Sequence, residues 1–111
     1  MQTFKQYEVV VVPFPFTDRD ASKRRPALIL SDSSSFKIDK SILAMITSSS
    51  HQPWPLDVEI EDLLAAGLKS SSIVRMKLFT LDNSLVLKTI GKLGEVDLEK
   101  VSFNLVEAFG F

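Results

Sequence analysis

Apolar residues fall along the chain in short runs separated by polar punctuation, and the period of each run predicts its conformation. Val9-Val10-Val11-Val12 is a β-branched run, the composition of a strand covered on both faces. Pro13 and Pro15 then alternate with Phe14 and Phe16. Proline has no N–H to give a ladder, so the chain is expected to bend away there or to lie at a sheet edge. Thr17 to Arg24 is polar, charged and aperiodic, the pattern of a long loop. Pro26 to Leu30 predicts a second strand and Ser31 to Ser35 a serine-rich turn. Ile42 to Ile46 predicts a third strand, ending at Thr47 and another serine run. Leu56, Val58 and Ile60 alternate with Asp57, Glu59 and Glu61, the period of a half-exposed strand. Asp62 to Leu68 has room for a helical turn or two, closed by Gly67. Ile73 to Leu78 and Leu85 to Leu93 complete the strands. The period then changes: Leu98, Val101, Leu105 and Phe109 fall at helical spacing and predict a helix from about Glu95 to Phe109. Glu95 and Asp97 suit its positive N-terminal end, Gly94 its N-cap and Gly110 its stop.

About six short strands and one terminal helix predict a mainly β, α+β fold, a strongly bent antiparallel sheet or small barrel. One domain over residues 1–111 is expected, with no repeat and no linker. The composition, 45% hydrophobic with eight Phe, is ample for one core. A net charge of −1 does not advertise nucleic-acid binding, so any such function must rest on a local basic patch. The opening segment from Met1 to Glu8 lacks the apolar core of a signal peptide. The apolar run from Val9 to Phe16 is too short to cross a bilayer as a helix. A cytoplasmic protein with no membrane association is the expectation.

Candidate chemistry is narrowed first by elimination. Without cysteine there are no disulfides, thiolate metal sites or cysteine nucleophiles, and a lone His51 excludes a two-histidine acid–base pair within one chain. No cofactor and no metal are expected, since no nucleotide-cradling glycine loop is present and zinc would lack ligands. Asp57, Glu59 and Glu61 read as a solvated strand face. Three features remain. Ser22-Lys23-Arg24-Arg25-Pro26 carries consecutive cations into an apolar strand. It is either a solubilising loop or a phosphate collector with Arg25 as a bidentate donor. Ile46-Thr47-Ser48-Ser49-Ser50-His51 puts hydroxyls at a strand end. These either satisfy a turn or hold a phosphate or a reacting hydroxyl. In Val74-Arg75-Met76-Lys77, alternation puts Arg75 and Lys77 on one strand face, a second cationic surface. His51 is expected as an exposed loop residue. Trp54, between Pro53 and Pro55, either packs across a loop or stacks on a base.

Taken in order, these segments resemble the PemK/MazF family of toxin–antitoxin ribonucleases. The resemblance runs from Glu8 to Arg24, through Arg25-Pro26-Ala27-Leu28-Ile29-Leu30, Ile46-Thr47-Ser48 and Ser72-Ile73-Val74-Arg75, to Ile90-Gly91-Lys92-Leu93-Gly94-Glu95-Val96-Asp97-Leu98. It implies a small SH3-like barrel with helices, a homodimer, metal-independent cleavage of single-stranded RNA at short sequences, and a cognate antitoxin that occupies the substrate groove. By motif position it implies Arg25 and Thr47 as catalytic residues. Ser22, Lys23, Arg24, Ser48, His51, Arg75 and Lys77 are then the candidate RNA-binding residues. Three departures stand out. Lys77 replaces an Asp that many members carry two residues after the arginine of this strand. The loop before Arg25 lacks the glutamate of other members, with Asp18 and Asp20 at the wrong offset. Tyr7-Glu8 replaces a Gly-Asp/Glu opening. The general base is therefore unassigned, and a non-catalytic RNA- or protein-binding module, or a gyrase-poison-like protein, is the competing expectation.

Overall fold

The valine run forms the middle of β1 (Glu8–Phe14), and three of its four residues are fully buried, as its composition required. The structure, a computed structural model, describes residues 2–14 and 23–111. Asp18, Asp20 and Ser22 therefore lie outside the described residues. After β1 come β2 (Lys23–Ile29), α1 (Ser33–Phe36), β3 (Lys40–Ser48), β4 (Val58–Glu59), α2 (Leu63–Ala66) and β5 (Ser72–Asp82). A short 3₁₀ turn (Asn83–Leu85), β6 (Lys88–Lys92) and α3 (Glu95–Phe109) complete the order. The strands form one antiparallel sheet, β4-β5-β3-β2-β1-β6, curled into a half-barrel with the C-terminal helix against it.

Several boundaries differ from the sequence expectations, each for a local reason. Lys23 and Arg24 are not loop residues: they continue β2, paired with Phe14 and Pro13 of β1. Pro13 does not push β1 to an edge, and Pro15 and Phe16 lie outside the described residues. The ladder from β1 to β6 ends at Val11↔Lys88, so Pro13 falls where that neighbour has already departed. Leu56 to Ile60 yields only a two-residue strand, because Leu56 takes a left-handed backbone conformation (φ 67°) that no strand continues through. The serine turn is one helical turn, capped by the Asp32 carboxylate accepting from the Ser34 N–H at 3.0 Å. Leu85 to Leu93 opens with the 3₁₀ turn before β6 begins.

Period-two alternation separates two apolar clusters. On one face Val9, Leu28, Leu30, Ala44, Ile46 and Val74 pack with Val101 of α3 and Ala66 of α2. On the other, Val10, Val12, Ala27, Ile29, Leu43 and Leu81 pack under Phe4 and Val86. Helix α3 covers the first cluster through Leu98, Val101 and Leu105, whereas Phe109, expected on the same stripe, has run past the sheet and is exposed. Among the described residues no helix is long and apolar enough to cross a membrane.

Two contacts lock the helices to the sheet. Gly91 of β6 lies so close to α2 that a Cβ there would meet the Ala66 carbonyl carbon at 2.4 Å, so any side chain would collide with backbone. Asp97, in the first turn of α3, is fully buried. Its carboxylate accepts from the Glu61 N–H at 2.9 Å and the Asp62 N–H at 3.0 Å. Asp62 in turn caps α2 by accepting from the Ala65 N–H at 3.0 Å. Removing the Asp97 carboxylate leaves two amides without their acceptor. Asp97→Ala is expected to lower the unfolding free energy by about 2–4 kcal/mol, read from the urea midpoint at unchanged m-value.

Candidate active site

Between β2 and β3 the ladder pairs Ile29 with Leu43, Leu28 with Ala44 and Ala27 with Met45, and there it stops. Carrying the same register onward would set Pro26 opposite Ile46 and Arg25 opposite Thr47. Pro26 has no N–H to extend the ladder, and the strands part at this point. The result is a cleft of about 290 Å³ lined by Phe14, Arg25, Met45, Ile46, Thr47, His51, Trp54, Arg75 and Lys77. Alternation explains the membership. Phe14, Arg25, Met45, Thr47, Arg75 and Lys77 share the face that buries Val12, Ala27, Leu43 and Leu81 further along the same strands. The cleft is the polar end of the second cluster's face.

Within it, Arg25 is half-buried and its guanidinium carbon lies 5.1 Å from the centre of the Phe14 ring. Among the described residues no carboxylate pairs with Arg25 or Lys77, so two cations face the cleft uncompensated. The Thr47 hydroxyl and His51 Nδ1 share a hydrogen bond of 2.7 Å. His51 is exposed, as expected, and held by the turn in which its N–H donates to the Ser48 carbonyl at 3.2 Å.

Arg75 has a different role from Lys77. It is 9% exposed, and its Nε and Nη2 donate to the two Asp57 oxygens at 3.2 and 2.9 Å. Nη2 also donates to the Gln52 carbonyl at 2.8 Å, and the guanidinium lies 4.9 Å from the centre of the Trp54 ring. The expectation that Asp57 shares a solvated strand face with Glu59 and Glu61 is therefore overturned: Asp57 turns inward to Arg75, while Glu59 and Glu61 stay exposed. Burial pushes the Asp57 carboxyl up. The Arg75 hydrogen bonds, the Trp54 N–H and the Arg75 charge outweigh that and hold it below the usual carboxylate range. Asp57, in return, holds Arg75 in its charged form.

The cleft thus gathers Arg25, Thr47, His51, Arg75 and Lys77 from the candidate residues. Lys23, Arg24 and Ser48 do not line it. Because Lys23 and Arg24 are strand residues, alternation sends Arg24 to the opposite face from Arg25, Lys23 lies two residues further out along β2, and Ser48 bonds Ser50. Ser22 lies outside the described residues. Sequence reasoning missed Phe14 and Met45, whose positions next to Arg25 and Thr47 follow from register alone, and the anchoring role of Asp57. A larger groove, between β4 and α3, is lined by Glu59, Glu61 and Glu99 beside Val96 and Phe103, with Lys100 paired to Glu61, and its net charge is negative.

A half-barrel whose parted strands bring an arginine and a hydroxyl to one cationic cleft is the class of small β-protein that this chain presents. The sequence profile of the PemK-like, MazF-like toxins of type II toxin–antitoxin systems matches residues 5–109, and the chain belongs to that family. Its fold is similar to that of the Mycobacterium tuberculosis toxin MazF-mt6, 19% identical over 94% of this chain and 97% of that one, TM-score 0.73. It is similar also to MazF in the Deinococcus radiodurans MazE–MazF complex, 18% identical over 100% and 99% of the two chains, TM-score 0.76. A mycobacterial endoribonuclease solved with its cognate antitoxin is 14% identical over 97% and 96%, TM-score 0.74. No curated protein sequence matches the chain significantly.

Trp54 is the chain's one tryptophan, so its fluorescence reports the segment that Arg75 and Asp57 hold. The Asp57 carboxyl is depressed in the folded chain. The pair is therefore complete above the ordinary carboxylate value of about 3.9 and lost only as pH falls through the lower folded value. Trp54 emission of the native chain is expected to hold steady from pH 8 to about 4 and to shift toward longer wavelength below that. Asp57→Ala is expected to show the shifted emission already at pH 7.

Proposed function

We propose that this chain is an endoribonuclease toxin that cuts single-stranded RNA at short sequences without a metal ion and is neutralised by a cognate antitoxin. The observation that carries the reading is the placement of Arg25 and Thr47 at facing register positions across the gap that Pro26 opens. In this reading both are catalytic. RNA supplies its own nucleophile, the 2′-hydroxyl, and the protein must bind the scissile phosphate and stabilise the negative charge that grows on it. Arg25 presents planar, charge-assisted donors to the phosphate oxygens, with Phe14 against its guanidinium face. Lys77 adds a second positive charge where many relatives have an acid. Thr47 adds a neutral hydrogen bond that orients phosphate or sugar. Trp54 offers a ring, 45% exposed, on which a base can stack beside Arg75.

Partners follow from the same surfaces. An antitoxin segment rich in carboxylates would satisfy the uncompensated cations and block RNA from the cleft. A homodimer is supported by Val96, Phe103, Val106 and Phe109, large apolar side chains that α3 leaves exposed. The cytoplasm, where RNA and antitoxin are both found, is the place of action in this reading.

One observation favours a second reading, a binding module without catalysis: Asp57, the carboxylate bonded to the cleft residue Arg75, has both oxygens engaged by it. The two readings separate in one assay, purified chain with long single-stranded RNA in EDTA and mapping of the new ends. The nuclease reading expects discrete, sequence-dependent cuts. Arg25→Ala is expected to slow them by about 10²–10³. Intact RNA across many sequences, at concentrations where it is bound, would establish the binding module instead.

A further inference from the structure

We propose that His51 is the proton acceptor of this cleft and that Thr47 holds it in the tautomer that can act; the inference rests on the RNA-cleaving reading above. Attack by a 2′-hydroxyl needs a group that removes its proton. Arg25 on β2 and Arg75 and Lys77 on β5 are cations at neutral pH and have nothing to accept with. Asp57, on the segment before β4, has both oxygens on Arg75 and takes the Trp54 N–H as well, at 2.8 Å. Among the described residues that line the cleft, this leaves the imidazole of His51. Histidine is the side chain whose ordinary ionisation falls between pH 5 and 8.

The hydrogen-bond geometry decides how it would work. Nδ1 and Thr47 Oγ1 are 2.7 Å apart, and Nε2 has no protein partner among the described residues. When Nδ1–H donates to Thr47, Nε2 is the bare, accepting nitrogen, and the Thr47 hydroxyl keeps its own hydrogen for a phosphate oxygen. One hydroxyl thereby fixes the tautomer on one side and grips the substrate on the other. The residues between the two assemble this pair. The Ser50 N–H donates to Ser48 Oγ at 3.2 Å and the His51 N–H to the Ser48 carbonyl, bending the chain back so that residue 51 meets residue 47.

In the step, Nε2 takes the proton of the 2′-hydroxyl while that oxygen's electron pair forms the new bond to phosphorus. The bond from phosphorus to the 5′ oxygen breaks, and its electron pair leaves on that oxygen, which takes a proton from water. The imidazolium then returns its proton to the hydroxide so formed. A 2′,3′-cyclic phosphate and a 5′-hydroxyl result, with charge and protons balanced. Arg25 and Lys77 hold the phosphate oxygens throughout, and Thr47 acts on the base as a positioning residue besides its contact with phosphate.

The test measures kcat and KM of the full chain on a short single-stranded RNA that it cuts, in EDTA from pH 4.5 to 8.5. The native rate is expected to rise as pH increases and then to level off, the bend expected of a single base that must be unprotonated to act. His51→Gln keeps a side-chain hydrogen-bonding group but cannot accept the proton. It is expected to lose about 10²–10⁴ in kcat together with the bend, with KM nearly unchanged and the thermal melt native-like. Added imidazole is expected to restore part of the rate to His51→Ala, where it fills a vacated space. Thr47→Val is expected to shift the bend, and Thr47→Ser to keep it in place. A His51→Gln enzyme within a few-fold of native rate, with the bend intact, overturns the proposal while the Arg25→Ala result leaves the nuclease reading standing. A native chain that binds RNA and never cuts it overturns both.

Discussion

The cleft depends on one interaction, the two-pronged bond between Arg75 and Asp57. Residues 49–57 connect β3 to the short β4 with no ladder of their own, so side chains must fix their path. Arg75 does this from within β5, taking both Asp57 oxygens and the Gln52 carbonyl and lying against the Trp54 ring. The Asn104 amide of α3 adds a bond to the Leu56 carbonyl at 3.0 Å, where the backbone is left-handed. Removing either charged partner would leave the other nearly buried and alone, an arrangement far worse than having neither. The segment that carries His51 and Trp54 is thus tied to the sheet by a residue that a first inspection would assign to the substrate.

The sheet makes its own contribution by ending in the right place. Two prolines sit where a neighbouring ladder has just stopped, Pro13 beyond Val11↔Lys88 and Pro26 beyond Ala27↔Met45. A continuous ladder would have zipped Arg25 against Thr47 and left no room for a ligand. Between β3 and β5 the register jumps: Ala44 pairs with Leu78 and Met45 with Arg75, leaving Met76 and Lys77 as extra residues. The even number keeps the alternation in phase, so Met76 stays on the side of the first cluster and Lys77 stays with Arg75 in the cleft.

Much of this was legible before any coordinates. The valine run, the Ile-Thr-Ser strand end and the Ile-Gly-Lys-Leu approach to a helix each carry local signals, and their order marked both fold and family. Arg25 and Thr47 could be singled out because a cation and a hydroxyl at strand ends are local facts too. What stayed hidden was long-range or cooperative. Nothing near Asp57 signals a partner 18 residues away, and its alternation with Glu59 and Glu61 points the opposite way. The polar run before Arg25 concealed that Lys23 and Arg24 are strand residues, because pairing with Phe14 and Pro13 overrides their composition. Asp97 looked like a favourable charge at a helix start, yet it is the acceptor that joins two helices inside the core.

The acidic groove between β4 and α3 lies against the helix-covered side of the sheet, and the cationic cleft opens on the other. A chain of net charge −1 is then close to neutral only from a distance. At the range of a Debye length, about 8 Å in physiological salt, it presents poles of opposite sign. In the proposed RNA-cleaving reading, a polyanion drifting near would be turned by this field before it touches, repelled from one side and drawn to the other, so that a larger share of collisions begins in a usable orientation. In that reading the carboxylates that lower the total charge also act as a rudder for the encounter.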